Sequence, residues 1–425
     1  MEAVAIRHNS HLLWWAGRLA ISALILAACA APATLAPTPT PTVLPPTATA
    51  IPPTAVPSTS TPAGPVAARA TSIRFDTPLF GLAVDADGNL YLSTCTFGTG
   101  SGQIFKVDRY GLLSVFAGTD VPGFSGDGGP ARSAQFQCVT GLAFDHQGNL
   151  NFADNYRIRR IDHNGIITTV AGSGPVMDPT GNIARPIPAG DGGPATSALL
   201  DAGDIAFDLA DNLYFNDQGN GRIRKVDKQG IITTVAGTSA DGFSGDGGPA
   251  AAAQLMLSFA GPSDVFVPLP AGLAADALGQ IYIADSGNGR VRKIDQQGVI
   301  TTIAGADGPV VSGDGGLATA AVLAAPVNLA FDAAGNLYVG DAASASRKDY
   351  RIRKVDQKGI LTTVVGTGHF GFSGDGGPVT AADITTPGAM ILDGQGNLYF
   401  IDFGNQRVRK VDTKGIITTV AGGAP

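Results

Sequence analysis

The residue types that ordinarily carry chemistry are sparse in this chain of 425 residues. Glu2 is its sole glutamate, and of five histidines His146, His163 and His369 are widely separated, so no zinc-type set suggests itself. No Gly-x-Ser-x-Gly turn is present to hold a serine nucleophile. A recurring motif, Ser-Gly-Asp-Gly-Gly-Pro, does place a carboxylate beside flexible backbone. It occupies Ser125–Pro130, Ser244–Pro249 and Ser373–Pro378, with variants at Ala189–Pro194 and Ser312–Leu317. Asp127, Asp191, Asp246, Asp314 and Asp375 would be the ligands of a calcium or anion site. Calcium takes roughly six to eight oxygens, and one carboxylate per loop is too few. The expected role of the aspartate is therefore to fix a turn leading into a short helix with proline at its first position. No metal or cofactor is expected, with a divalent cation such as calcium as the alternative.

These loops punctuate a repeat. Hydrophobic residues make up 44% of the chain, charged residues only 15%, and there are 58 glycines, a bias toward many tight turns. The phrase running from Lys106-Val107-Asp108 to Gly118 recurs six times, the last copy from Lys410 to Gly422. A second phrase, of which Gly88-Asn89-Leu90-Tyr91 is one copy, precedes each. Within one unit Ile205–Phe207, Leu213–Phe215, Ile223–Val226 and Ile231–Val235 are β-prone runs separated by Asp, Asn and Gly turns. The pattern predicts an all-β, six-bladed β-propeller of four-stranded antiparallel blades over residues 71–425, with short helices in the inter-blade connectors. A linear solenoid is the runner-up. Ring closure is expected from packing of unit six on unit one, with Ile73-Arg74-Phe75 adding to a sheet edge.

The combination Gly-Asn-Leu-Tyr-x-x-Asp, Asn-x-Arg-Ile-Arg-Lys-Val-Asp and Gly-Ile-Ile-Thr-Thr-Val-Ala-Gly resembles bacterial NHL-repeat proteins of the teneurin-like kind. The resemblance implies a six-bladed propeller. It does not choose a function, because that family ranges from protein and RNA binding to enzyme and sensor domains. The sugar-lactone hydrolases of this propeller class hold a divalent metal with a glutamate plus Asn and Asp, and no glutamate follows Glu2 here.

The N-terminal segment reads as an address. Leu19 to Ala28 is an uncharged apolar run, too short to span a bilayer, and Leu26-Ala27-Ala28-Cys29 resembles a bacterial lipobox. The expectation is a signal peptide at 1–28, lipidation of Cys29, and a Pro/Thr-rich disordered stalk over 29–70. The protein would then be a monomer at the cell membrane, lipid-anchored and facing the extracytoplasmic side. In that compartment Cys95 and Cys138, placed at one rim of neighbouring blades, are expected to form a disulfide, with two buried thiols as the alternative.

Two further readings concern charge and loop length. Asp154, Asp217, Asp285, Asp341 and Asp402 end the second strands while Arg157, Arg222, Arg290, Arg351 and Arg407 begin the third, predicting a structural ion pair in each blade; Thr94 and Gln103 replace both charges in blade one. A net charge of -7 excludes a basic nucleic-acid footprint. Loops on one rim keep constant length, whereas connectors on the other vary, with additions at 176–188 and 258–270 and an insertion after Asp341. Variable loops on a rigid scaffold favour binding. The candidate binding residues are Phe259, Phe266, Arg347 and Tyr350, expected to be exposed, together with the five connector aspartates. The expected function is a surface-tethered binding or scaffold module for a protein, peptide or glycan. The alternative is a metal-dependent lactonase-like hydrolase or lyase.

Overall fold

A computed structural model describes residues 68–423 except 97–100, 120, 178–182, 185–188, 258–268, 270 and 345–346. Cys29, the leader at 1–28, nearly all of the stalk, and Phe259 and Phe266 lie outside the described residues. Among the described residues no helix is long and apolar enough to cross a membrane.

Six four-stranded antiparallel meanders make up the body. Blade one comprises Leu79–Val84, Leu90–Thr94, Ile104–Val107 and Leu112–Ala117; blade two comprises Val139–Phe144, Leu150–Asp154, Arg157–Ile161 and Ile167–Ala171. Blades three to six begin their inner strands at Ala202, Leu273, Pro326 and Pro387. Successive inner strands touch in order, and the sixth returns to touch the first, so the sheets close into a ring rather than a linear array. Both faces of each blade are covered by like neighbours, which is why the second strands are almost wholly buried, as in Leu150–Asp154.

Inner and outer strand edges carry unpaired backbone groups that must be satisfied. On the inside, a bulge shifts the register of the first strand in most blades, as between Val139 and Leu142, and frees groups for cross-links between blades. Ser93 Oγ donates to Thr140 O (3.2 Å) and Thr140 Oγ1 to Gly203 O (2.8 Å). Leu273 N donates to Asp204 Oδ2 (3.0 Å), Gly272 N to Val327 O (2.9 Å) and Met390 N to Asn328 Oδ1 (3.0 Å). Leu79 N donates to Gln406 Oε1 (3.3 Å) across the seam. Every blade junction is thus tied through an inner strand.

On the outside, the two glycines of each connector motif pair with the fourth strand of the following blade. Gly128 N donates to Ile167 O at 2.8 Å and Ile167 N to Gly129 O at 3.0 Å, and the other four motifs repeat the exchange. Gly126 makes this docking possible: its φ is +97°, and an added Cβ would lie 2.7 Å from the Ala134 methyl. The predicted short helices are single 3-10 turns, such as Ala131–Ser133 and Ala195–Ser197, and proline caps the turn from outside rather than occupying its first position. Three residues suffice because the turn is a latch: Ala131 O accepts from Gly118 N of the preceding blade, while Ala131 N donates to Gly165 O of the following one.

The ring closes with the same latch. Ala68–Arg69 pairs with Leu112 and Leu113 of blade one, and Ala70–Ser72 forms the 3-10 turn. Ala70 O accepts from Gly422 N (3.0 Å) and Ala70 N donates to Gly111 O (2.8 Å). The edge is therefore completed by Ala68–Arg69, not by Ile73-Arg74-Phe75; Phe75 turns inward onto Phe105 with ring centroids 5.8 Å apart. Blade six also packs on blade one through Phe80 and Phe403, 5.3 Å apart edge to face. Between blades one and two, Cys95 and Cys138 are disulfide-bonded with Cα atoms 4.5 Å apart.

Candidate functional site

Alternation along the third strand puts the arginines of each Arg-x-Arg pair on one face, at different depths. The deeper ones, Arg159, Arg224, Arg292, Arg353 and Arg409, are fully buried. Each meets the aspartate ending the second strand, at 3.6, 3.5, 3.2, 4.0 and 3.2 Å respectively. Each also meets the aspartate of the preceding connector, Asp127, Asp191, Asp246, Asp314 or Asp375, at 2.7–2.9 Å. The predicted partners Arg157, Arg222, Arg290, Arg351 and Arg407 are thus corrected by two residues. Asp154 does face Arg157 in the ladder, but its Oδ1 accepts from Gln137 N (2.8 Å) of the chain entering the inner strand, while Arg157 reaches outward.

The five connector aspartates, candidates for ligand contact, have their carboxylates engaged inside the molecule. Asp127 accepts from Arg159 and from Thr169 N (3.1 Å); Asp246, Asp314 and Asp375 accept from the hydroxyls of Thr302, Thr363 and Thr419 at 2.7 Å. Desolvation pushes the Asp127 carboxyl upward, but the Thr169 and Arg159 hydrogen bonds outweigh it and hold it below its usual range. For the strand-ending Asp154 burial wins over the Gln137 amide and Arg159, raising it to about 6.

Blade one explains its own exception. No connector motif precedes it, and Phe105 stands at the register position of Arg159, opposite Leu92 and Val115. Phe75 covers it where the other blades have the connector aspartate. Thr94 therefore leaves no buried charge unpaired.

The first arginine of the pair builds the connector rim in alternate blades. Phe124, Phe243 and Phe372, each just before a connector Ser-Gly-Asp, are exposed and lie over Arg157 (3.6 Å), Arg290 (4.0 Å) and Arg407 (4.1 Å), and over the buried arginines at 4.8 Å. Blades two, four and six thus present a held aromatic ring. Two residues expected to be exposed are not. Tyr350 is buried, edge to face with Phe370 at 5.3 Å, and Arg347 donates to Leu323 O (3.1 Å) and Gly308 O (2.6 Å), pinning the blade-five insertion to a connector. Sequence reading misses the phenylalanine trio because the stretches that carry it, Gly118 to Phe124, Gly237 to Phe243 and Gly366 to Phe372, share one length and read as the lead-in to the motif turn.

A second concave feature is the axial channel, a cavity of about 350 Å³ walled by the inner strands. Asp204 is the sole ionisable side chain among its described lining residues. Burial raises its carboxyl to about 6, against the pull of the Leu273 and Ile205 amides. Among the described residues that line the channel no cation faces it, in contrast to the strand-ending aspartates. Among the described residues no three His, Cys, Asp or Glu side chains come together as a ligand set.

Residues 119–189 match the Teneurin NHL domain and residues 268–294 match the NHL repeat. The chain is 29% identical to Teneurin-1 of Mus musculus over 254 residues, covering 55% of this chain and 8% of that one. It is 27% identical to Teneurin-4 of Homo sapiens over 361 residues, covering 76% and 12%. The chain therefore spans about a tenth of the length of these relatives. Among solved structures, an auxiliary nutrient binding protein from Bacteroides ovatus superposes with TM-score 0.53 at 14% identity, covering 81% of this chain and 69% of that one. That likeness concerns fold. With the six four-stranded blades, the domain and repeat matches support placement among NHL propellers.

Two predictions follow from the charges. Arg159→Phe alone strands Asp154 and should cost about 3–5 kcal/mol; adding Asp154→Thr, as in blade one, should recover part of that loss in denaturant unfolding. For Asp204, the folded pKa lies above the unfolded one, so it lowers stability as pH rises from about 4 to about 6. Asp204→Asn should therefore gain thermal stability over the parent progressively through that window and hold the gain above it.

Proposed function

We propose that this NHL-type propeller is a binding module that engages a protein, peptide or glycan partner through its connector rim, outside the cytoplasmic membrane. The observation that carries the reading is the phenylalanine trio: three exposed rings at equivalent places in alternate blades, each held by two arginines on a rigid ring. An aromatic side chain already fixed in place loses little freedom on binding, so its contact area converts efficiently to affinity. The arginines orient the rings and are themselves tied back, Arg290 to Asp307 at 2.9 Å and Arg407 to Asn405 O at 2.9 Å. The nutrient-binding protein of similar fold is compatible with this reading.

Replacing Phe124, Phe243 and Phe372 together by alanine should leave the unfolding midpoint within a few degrees and reduce capture of a cross-linked partner at the cell surface at least about tenfold. Unchanged capture by the triple variant would count against the connector rim. Tethering is a separate expectation: Cys29→Ala should abolish metabolic incorporation of labelled palmitate and shift the protein from the membrane to the soluble fraction.

A further inference from the structure

The rim opposite the connectors carries a cavity whose shape is explained by a gap in the repeat. In five blades the second strand places a tyrosine at one register position: Tyr91, Tyr214, Tyr282, Tyr338 and Tyr399. Its hydroxyl donates to the carboxylate that opens the first turn, Tyr91 to Asp85 at 3.1 Å, Tyr214 to Asp208 at 3.2 Å and Tyr282 to Asp276 at 3.2 Å. A lysine of the third strand lies over the ring, Lys106 at 5.3 Å from Tyr91 and Lys410 at 5.4 Å from Tyr399. A phenylalanine of the next blade meets the ring edge to face, Phe144 at 5.1 Å from Tyr91 and Phe331 at 4.8 Å from Tyr282.

Blade two lacks the ring and keeps its surroundings. Asn151 takes the tyrosine position, pairing with Ala143 and Arg160 as Tyr91 pairs with Ala83 and Lys106. Val170 stands where blade one has Phe116, which enlarges the space. A cavity of about 450 Å³ results, lined by Asp145, Asn151, Arg160, Val170 and Phe207, the counterparts of Asp85, Tyr91, Lys106, Phe116 and Phe144. Leu213 and Val226 of blade three add apolar wall, and the His146–Asp211 pair (2.7 Å) belongs to the turns beside it. Asp145 Oδ2 accepts from the Asn149 and Asn151 amides at 2.9 and 3.3 Å and retains lone-pair capacity for a hydroxyl. Arg160 Nε is buried with no hydrogen-bond partner, and a guanidinium is well suited to lie on an aromatic face.

We infer that this cavity receives a phenol, either a small free phenol or the tyrosine side chain of a peptide. The ring stacks under Arg160 and against Phe207, and the hydroxyl donates to Asp145, reproducing what the chain itself supplies in the other blades. This inference concerns the rim away from the phenylalanine trio and stands apart from the proposed partner surface.

The test is titration of the full chain with 4-methylphenol, toluene and the peptide Gly-Tyr-Gly, by calorimetry and ligand-observed NMR. Saturable binding of 4-methylphenol with one site and a Kd on the order of 1 mM or tighter is expected. Toluene should bind at least about tenfold more weakly, because it cannot use the carboxylate. Asn151→Tyr restores the repeat's own ring; it should abolish binding while keeping or raising the melting temperature. Arg160→Met, which keeps the apolar stem, should weaken binding several-fold. Gly-Tyr-Gly binding as tightly as 4-methylphenol identifies a peptide source, and binding of 4-methylphenol alone identifies a free phenol. The inference is overturned if 4-methylphenol does not saturate, if toluene matches it, or if either variant binds like the parent chain.

Discussion

A buried guanidinium tied to two carboxylates holds each connector onto the blade that follows it. Arg224, for instance, is inaccessible to solvent and spans Asp217 of its own sheet and Asp191 of the incoming connector, with Leu199 O and Ala189 O accepting further hydrogen bonds from it. Burying these charges is costly, and the cost is met only when all partners are present together. The lock therefore acts as a positional constraint: it fixes the connector over the outer edge, and from there the latch turn sets where the next inner strand begins. Exposed strand edges, which would otherwise invite association, are covered by the same device.

Blade one shows what the lock is for. With no connector motif ahead of it, the arginine is replaced by Phe105 and the strand-ending carboxylate by Thr94, and Phe75 supplies an apolar cover. The ring still closes because the latch itself, Ala70–Ser72 between Gly422 and Gly111, does not require the charges. Charge and latch are separable: one secures a loop, the other joins neighbouring blades.

Departures from the repeat gather where chemistry is least constrained by the fold. Asp204 is the sole ionisable side chain among the described residues lining the axial channel, Asn151 stands where the other blades have a tyrosine, and three phenylalanines are displayed in alternate blades. A repeat protein can vary at such positions because each blade leans only on its neighbours. Stability is supplied by the recurring positions, so the exceptions are free to vary.

Blade number, strand order and the neighbouring placement of Cys95 and Cys138 were all legible in the sequence, since each follows from a local pattern repeated at regular intervals. Even the joint loss of charge in blade one could be read, although its cause could not. Only the tertiary structure decided which arginine of each pair meets the aspartate, because Arg157 and Arg159 share a face and differ only in depth. It also turned Tyr350 and Arg347 inward and gave the closing edge to Ala68–Arg69. Asn151 was visible as a departure in the sequence, but the space beside it depends on Val170 and on Phe207 from the next blade. Periodicity encodes what a residue's own strand will do; partners brought from other blades depend on how the ring closes, which no local pattern contains.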